Sequence, residues 1–110
     1  MDQHEPSSRD NLLSRIKSAV LAVVPDAEVS LYGSRARGKA RADSDWDILI
    51  LLPETPTEAG KATIRRCLYE IELETGNVIT SVYYAKQEWE REDRRRFPFR
   101  RHVRAEAIRL

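Results

Sequence analysis

Two aspartates separated by one residue, Asp45 and Asp47, are the side chains in this 110-residue chain best suited to chemistry. They stand at the start of an apolar run, 46–52, that predicts a strand. Because side chains alternate along a strand, both carboxylates should lie on one side of the sheet, ~6–7 Å apart. Two like charges at that separation repel unless a cation neutralises them, and Mg²⁺ prefers carboxylates together with phosphate oxygens. We therefore expect Asp45 and Asp47 to be metal ligands with a catalytic role.

A short segment rich in glycine and arginine precedes the aspartates and is suited to binding phosphate. Gly33 and Ser34 follow a predicted strand and lead into a short helix, where glycine lets backbone N–H groups approach an anion. The serine hydroxyl adds a donor, and the arginines that follow add positive charge. Such a segment beside a metal-binding carboxylate pair suits phosphoryl or nucleotidyl transfer. The predicted nucleotide-binding residues are Gly33, Ser34, Arg35 and Arg37.

The same segment partly fits a second motif, the Walker A phosphate-binding loop. Gly33, four intervening residues, Gly38 and Lys39 match its first part. The motif must end in Ser or Thr, whose hydroxyl ligates magnesium, and this chain has Ala40 there. The residues that follow, 41–45, are mostly polar and do not begin an apolar helix. The sequence therefore argues against a P-loop.

Three apolar or β-branched segments and five helical segments surround these residues. The predicted strands are 27–32, 46–52 and 77–84. The predicted helices are 8–24, 34–37, 61–75, 86–96 and 98–108. Trp46, between the two aspartates, should point to the opposite face and pack in the core. The expected fold is α/β (α+β), one sheet covered by helices, in a single domain over residues 1–110.

The composition is that of a globular protein rich in charge, with 41% hydrophobic and 34% charged residues. Its one cysteine, Cys67, excludes an intramolecular disulfide and a cysteine-based metal site. No apolar run approaches the ~20 residues that span a bilayer. The first residues are polar and do not resemble a signal peptide, so we expect a cytoplasmic protein.

Positive charge gathers near the C-terminus. Residues 86–110 hold nine Lys or Arg against five Asp or Glu, whereas residues 1–85 hold ten against thirteen. Such a cluster can contact the phosphates of a nucleic acid. The acids between residues 88 and 93 weaken its field, so we expect a solvated face or a docking surface for an acidic protein. The arginines concerned are Arg94, Arg95, Arg96, Arg100, Arg101 and Arg104.

Residues 29–52 resemble the minimal nucleotidyltransferases (MNT) of the DNA polymerase β-like superfamily. The resemblance is carried by Gly33-Ser34, the Ala-Arg-Gly that follows, the ten residues between Ser34 and Asp45, and the Ser-Asp-Trp-Asp ending at Asp47. It implies the nucleotidyltransferase fold, with a small mixed three-stranded sheet covered by helices. It also implies that Asp45 and Asp47 hold one Mg²⁺ ion or two, and that Gly33-Ser34 grips the triphosphate. The donor would be ATP or another NTP. The transferred group would be an NMP, AMP in particular, and the acceptor would be a hydroxyl.

The resemblance further implies a protein partner. In prokaryotes such minimal domains often pair with a small helical protein of the HEPN type. In some of these pairs the transferase is the antitoxin, and it adds AMP to a tyrosine hydroxyl of its partner. A homo- or hetero-oligomer fits this expectation, because a chain of 110 residues buries only a small core.

One part of the family pattern has no counterpart in this sequence. Active members carry a third carboxylate on the next strand, where it ligates metal and can act as base for the attacking hydroxyl. The corresponding segment here, 77–84, contains Thr80 and Ser81 but no acid. The nearest acids lie outside it, at Glu72, Glu74 and Glu88. An alternative function is therefore a catalytically degenerate nucleotide-binding or regulatory subunit that acts by protein–protein contact.

Overall fold

A computed structural model describes residues 8–91 and 98–110 of the chain. The helices are α1 (Ser8–Val23), α2 (Ser34–Arg37), α3 (Glu58–Thr75), α4 (Lys86–Glu90) and α5 (Pro98–Glu106). The strands are β1 (Glu28–Tyr32), β2 (Trp46–Leu52), β3 (Ile79–Ala85) and β4 (Ile108–Arg109). None of the helices in these two ranges is long and apolar enough to cross a membrane.

The described strands form one mixed sheet in the order β3-β2-β1-β4. β1 runs antiparallel to both β2 and β4, and β2 runs parallel to β3. The parallel pair is joined by α3, because parallel neighbours need a long crossover connection. The predicted α+β arrangement of a small mixed sheet with helices is confirmed, but the sheet has four strands instead of three.

The fourth strand corrects the prediction of a helix over 98–108. α5 ends at Glu106, and Ile108, which fits helical spacing, instead lies in β4. The N–H of Leu110 donates to the carbonyl of Val29 at 2.9 Å and extends the pairing with β1. The physical reason is that the edge of β1 would otherwise leave backbone N–H and C=O groups unpaired. Two residues are too few to show the alternation of apolar and polar side chains that predicts a strand.

β2 is buried on both faces, as its continuous apolar sequence predicts. On one face Ile48 and Ile50 are fully buried in a cluster with residues of α1 and α3. On the other face Leu49 and Leu51 pack with residues of α4 and α5. Trp46 is 5% exposed and belongs to the first cluster, so it packs in the core as predicted. Both faces of β2 are therefore held by packing, which makes it a firm support for the aspartates at its start.

Capping accounts for one difference between the predicted and observed helix boundaries. α3 begins three residues before the predicted start, because the Thr57 hydroxyl accepts a hydrogen bond from the Gly60 N–H at 3.0 Å. It ends before Gly76, whose φ of 74° is the left-handed conformation predicted for this position. The predicted helix over 86–96 ends at Glu90, and its last five residues lie outside the described part of the chain.

Candidate functional site

The turn at Gly33 brings the glycine-serine segment against the aspartates. Gly33 lies between β1 and α2 with φ 76° and ψ −160°, a conformation that is essentially restricted to glycine. A Cβ atom at this position would lie only 2.2 Å from Oδ2 of Asp47. The contact arises because Tyr32, the last residue of β1, pairs directly with Asp47 of β2. The two halves of the motif therefore meet at adjacent ends of neighbouring strands, and Ser34 begins α2 there.

The environment of Asp47 disfavours negative charge. Asp47 is half-buried, and Asp45 is exposed at the start of the strand. Burial and then the charge of Asp45 raise the pKa of the Asp47 carboxyl, and the charge of Glu106 adds to the rise while Arg37 opposes it. A divalent cation near both aspartates would relieve this repulsion.

The donor set of the site is suited to magnesium bound together with a nucleotide. Within residues 8–91 and 98–110, no group of three or more His, Cys, Asp or Glu residues is arranged to hold a metal ion. Asp45 and Asp47 offer two carboxylates, and Mg²⁺ commonly takes one or two carboxylates with substrate phosphates and water. The Thr80 hydroxyl donates to Oδ2 of Asp45 at 3.2 Å and helps to orient that carboxylate. The residues present therefore fit an ion that arrives with a triphosphate.

Arg37 reaches the site but is held by a residue that the sequence did not single out. Its Nη1 donates to Oε2 of Glu106 at 2.7 Å, and the Gly33 N–H donates to Oε1 of the same carboxylate at 3.1 Å. The hydrogen bond from Arg37 is the main reason that the pKa of Glu106 lies below its usual value. Glu106 lies 59 residues beyond Asp47, so no local spacing connects it with the motif. The one sequence feature that could have indicated Glu106 is the presence of an acid near the end of an otherwise basic segment.

Arg35 is engaged with the loop before the aspartates. Its Nη2 donates to the carbonyls of Ser44 at 2.9 Å and Ala42 at 3.1 Å. The guanidinium also lies over the Trp46 ring, 4.2 Å from the ring centroid. These contacts tie the end of the loop to the buried tryptophan, so Arg35 fixes the backbone that carries Asp45. Its predicted role in nucleotide binding remains a prediction beside this positioning role.

Replacing Arg35 by alanine should loosen this loop. We expect the free energy of unfolding to fall by about 1–2 kcal/mol, since hydrogen bonds from a charged group and a cation–π contact are lost together. The nucleotide transfer predicted from the motif should fall further than the loss of folded protein explains, because Asp45 is no longer held. Lys39→Ala, an exposed cation of the same loop, is the matched control. Equal effects of both variants on transfer would contradict a positioning role for Arg35.

A cavity of about 590 Å³ opens beside α2. Three arginines contribute to its lining: Arg9, Arg35 and Arg37. Trp46 also contributes to its lining. Gly33, Ser34, Asp45 and Asp47 are not among the residues that line it, and Trp46 points to the opposite face from the aspartates, so this cavity lies apart from the site.

Thr80 lies on β3, the strand on which the family resemblance implies a third acid. It pairs with Asp47 in the parallel register and touches Asp45, whereas the Ser81 hydroxyl hydrogen-bonds Tyr83. Thr80 is therefore the β3 side chain at the site, and its hydroxyl is a poor base.

The three glutamates near β3 are placed elsewhere. Glu72 accepts a hydrogen bond from the Ile79 N–H at 3.0 Å and so caps the start of β3. Glu74 pairs with Arg15 of α1 at 2.6 Å. Glu88 lies on α4, which follows the far end of β3. These contacts give none of the three the role of a third acid beside Asp45 and Asp47.

Tyr32 links the site to α5. Burial and then the charge of Asp47 raise its pKa to about 12, so its phenol stays protonated at neutral pH. Its ring meets Phe99 edge to face, with centroids 5.5 Å apart.

The basic cluster near the C-terminus does not form one continuous face in the described residues. Arg100 is only 7% exposed, and its Nη1 donates to the backbone carbonyl of Arg91. Arg101 and Arg104 are exposed on the same helix. The other three arginines of the cluster, residues 94–96, lie outside the described residues. Burial of Arg100 removes one charge from any phosphate-binding face on this helix.

A comparison with protein families agrees with the geometry around Gly33 and Asp47. No curated protein matches the chain. The family model of the nucleotidyltransferase domain matches residues 13–104, which include the glycine-serine turn, both aspartates and Thr80. The match covers most of the 110 residues. The chain belongs to the nucleotidyltransferase domain family.

Proposed function

We propose that the chain transfers AMP from magnesium-bound ATP to a hydroxyl group. The observation that carries this proposal is the contact between the two halves of the motif: a Cβ on Gly33 would lie only 2.2 Å from Oδ2 of Asp47. A phosphate bound at the Gly33 N–H would therefore lie beside the aspartate carboxylates. Membership of the nucleotidyltransferase domain family supports the transfer of a nucleoside monophosphate in general.

The proposed reaction is an in-line displacement at the α-phosphorus. The acceptor oxygen forms a bond to that phosphorus, the bond to the oxygen bridging the β-phosphate breaks, and pyrophosphate leaves. The hydroxyl proton passes to water, because Thr80 replaces an acid on β3. The chain therefore contributes mainly by binding and orientation, which supply most of the catalysis in phosphoryl transfer.

Each site residue has a part in this scheme. Gly33 and Ser34 bind the phosphates, and Arg37 offsets their charge. Asp45 and Asp47 would hold Mg²⁺, with Thr80 orienting Asp45. When held there, magnesium would supply positive charge to offset the negative charge of the triphosphate and the leaving pyrophosphate.

The reaction class can be tested with ATP labelled at either the α or the γ phosphate. Extract of the source cells, which contains the natural acceptor, is incubated with the protein and Mg²⁺. The proposal predicts that α label, but not γ label, appears on a discrete acceptor and that chelation of magnesium prevents it. Transfer of γ label would identify a kinase instead and contradict the proposal.

A second candidate function is a nucleotide-binding subunit that no longer catalyses transfer. It is favoured by one observation, the hydroxyl of Thr80 at the β3 position next to both aspartates. Such a subunit would bind Mg·ATP and act through contact with a partner protein.

The variant Thr80→Asp separates the two functions, with Thr80→Ser as the matched control. If the chain is a degenerate binder, Thr80→Asp should gain transfer that the wild type and Thr80→Ser lack. If the chain is an enzyme, the wild type should already transfer α label. Calorimetry measures nucleotide binding by all three proteins. Binding by each of them would show that the substitutions leave the site intact.

The proposed physiological setting is an antitoxin that modifies a helical HEPN-type partner at a tyrosine hydroxyl. This setting rests on the resemblance of the Gly33–Asp47 motif to MNT antitoxins. Co-expression with such a partner tests it: the partner's mass should increase by one AMP. An unmodified partner that nevertheless co-purifies would favour the binding subunit.

A further inference from the structure

The carboxylate of Glu106 is seated on the donors expected to bind phosphate. One of its oxygens accepts from the Gly33 N–H at 3.1 Å, and the other accepts from Arg37 at 2.7 Å. A carboxylate that takes one hydrogen bond from a backbone amide and one from a guanidinium resembles a phosphate bound in the same way. Only 17% of the side chain of Glu106 is exposed, compared with 47% for Arg37.

The position of Glu106 is fixed by the elements on either side of it. It is the last residue of α5, and Val103 of the same helix is 1% exposed against the sheet. β4 follows directly and pairs with β1, the strand that leads into Gly33. The backbone therefore delivers the carboxylate to the turn, and rotation of the Glu106 side chain is the smallest movement that could free the donors.

We propose that Glu106 is a built-in competitor of the nucleotide, whose carboxylate must leave Gly33 and Arg37 before a triphosphate can bind there. The inference rests on the proposed function and adds a means of regulation to the same site. A phosphate and the Glu106 carboxylate cannot share these donors, because like charges within about 3 Å repel strongly.

The test measures the affinity of the full chain for the magnesium complex of α,β-methylene ATP by calorimetry. This analogue carries the whole triphosphate but cannot transfer AMP. Glu106→Gln keeps the size of the side chain and removes its charge, and Glu106→Ala removes the competitor altogether. Both variants should bind about tenfold more tightly than wild type, equivalent to about 1.4 kcal/mol.

The matched control is Glu28→Gln. Glu28 forms ion pairs with Arg109 of β4 at 3.6 Å and with Lys86 at 3.7 Å, so it ties the same C-terminal segment without touching the turn. Its replacement should leave the affinity unchanged. A gain as large as that of the Glu106 variants would mean that loosening of β4, and not competition, controls binding, and would overturn the proposal.

The remaining outcomes separate this inference from the proposed function. If wild type binds the analogue and both Glu106 variants bind it equally or more weakly, Glu106 is not a competitor, although the proposed function stands. If neither wild type nor any variant binds the analogue, the proposed function fails and the competitor fails with it. Thermal unfolding of each variant shows whether it is folded under the conditions of the titration.

Discussion

Replacing Asp45 and Asp47 together by asparagine should abolish nucleotide transfer and leave the protein folded. The two carboxylates are the metal-binding groups of the proposed site, and their loss should lower the rate by at least about 10³-fold, or about 4 kcal/mol of transition-state stabilisation. Folding should not suffer, because burial and the charge of Asp45 already disfavour the charged form of Asp47. The melting temperature of the double variant should therefore equal or exceed that of wild type.

Asp43→Asn is the matched control for this prediction. Asp43 is an exposed acid of the same loop that lies outside β2. Its replacement removes a negative charge near the site without removing a proposed ligand, so transfer should stay close to the wild-type rate. Initial rates of α-label transfer at saturating Mg·ATP measure the effect. Transfer by the Asp45/Asp47 double variant at a rate near that of wild type would rule out both carboxylates as catalytic.

Replacing Gly33 by alanine should damage both the site and the stability of the protein. The added Cβ would lie 2.2 Å from Oδ2 of Asp47, so the carboxylate or the turn must shift. The backbone conformation at Gly33 adds about 1–3 kcal/mol of strain for a residue with a Cβ. A displacement of about 1 Å at a catalytic group can lower the rate by about 10²-fold, and we expect at least this loss of transfer.

Gly38→Ala separates the strain from the clash. Gly38 has a φ of 73°, but a Cβ there would meet nothing within 4 Å. This variant should lose about 1–2 kcal/mol of stability, typical of a left-handed residue, and keep most of its transfer activity. Chemical denaturation and the label-transfer assay measure the two effects. Equal losses of transfer in Gly33→Ala and Gly38→Ala would show that strain in the turn, and not contact with Asp47, accounts for the effect.

The elements around the motif could be predicted because their causes are local. The run from Trp46 to Leu52 is apolar at successive positions, as a strand buried on both faces requires, and β2 has these bounds. α2 likewise has the predicted limits, and the predicted meeting of the phosphate and aspartate segments follows from the pairing of β1 with β2. The predicted assignment of site residues follows from the same spacing and stays a prediction until the variants above are measured.

The parts that the sequence did not reveal depend on contacts between distant residues. Glu106 meets Gly33 and Arg37 across more than 60 positions, and only the folded sheet brings them together. β4 forms because the edge of β1 is open. This cause lies in the topology of the sheet, and a strand of two residues has no sequence pattern that would reveal it. The stacking of the Arg35 guanidinium on Trp46 is likewise invisible in the order of residues, and the predicted role of Arg35 in nucleotide binding stays a prediction.

The most direct test of the central claim, that Gly33-Ser34 and the aspartate pair hold one metal–nucleotide complex, is a crystal structure with Mn²⁺ and α,β-methylene ATP. Mn²⁺ replaces Mg²⁺ and can be located by its anomalous scattering. We expect manganese in contact with both Asp45 and Asp47, and a triphosphate oxygen that accepts a hydrogen bond from the Gly33 N–H in place of Glu106. Manganese and triphosphate bound elsewhere, with the Glu106 contact to Gly33 intact, would contradict it.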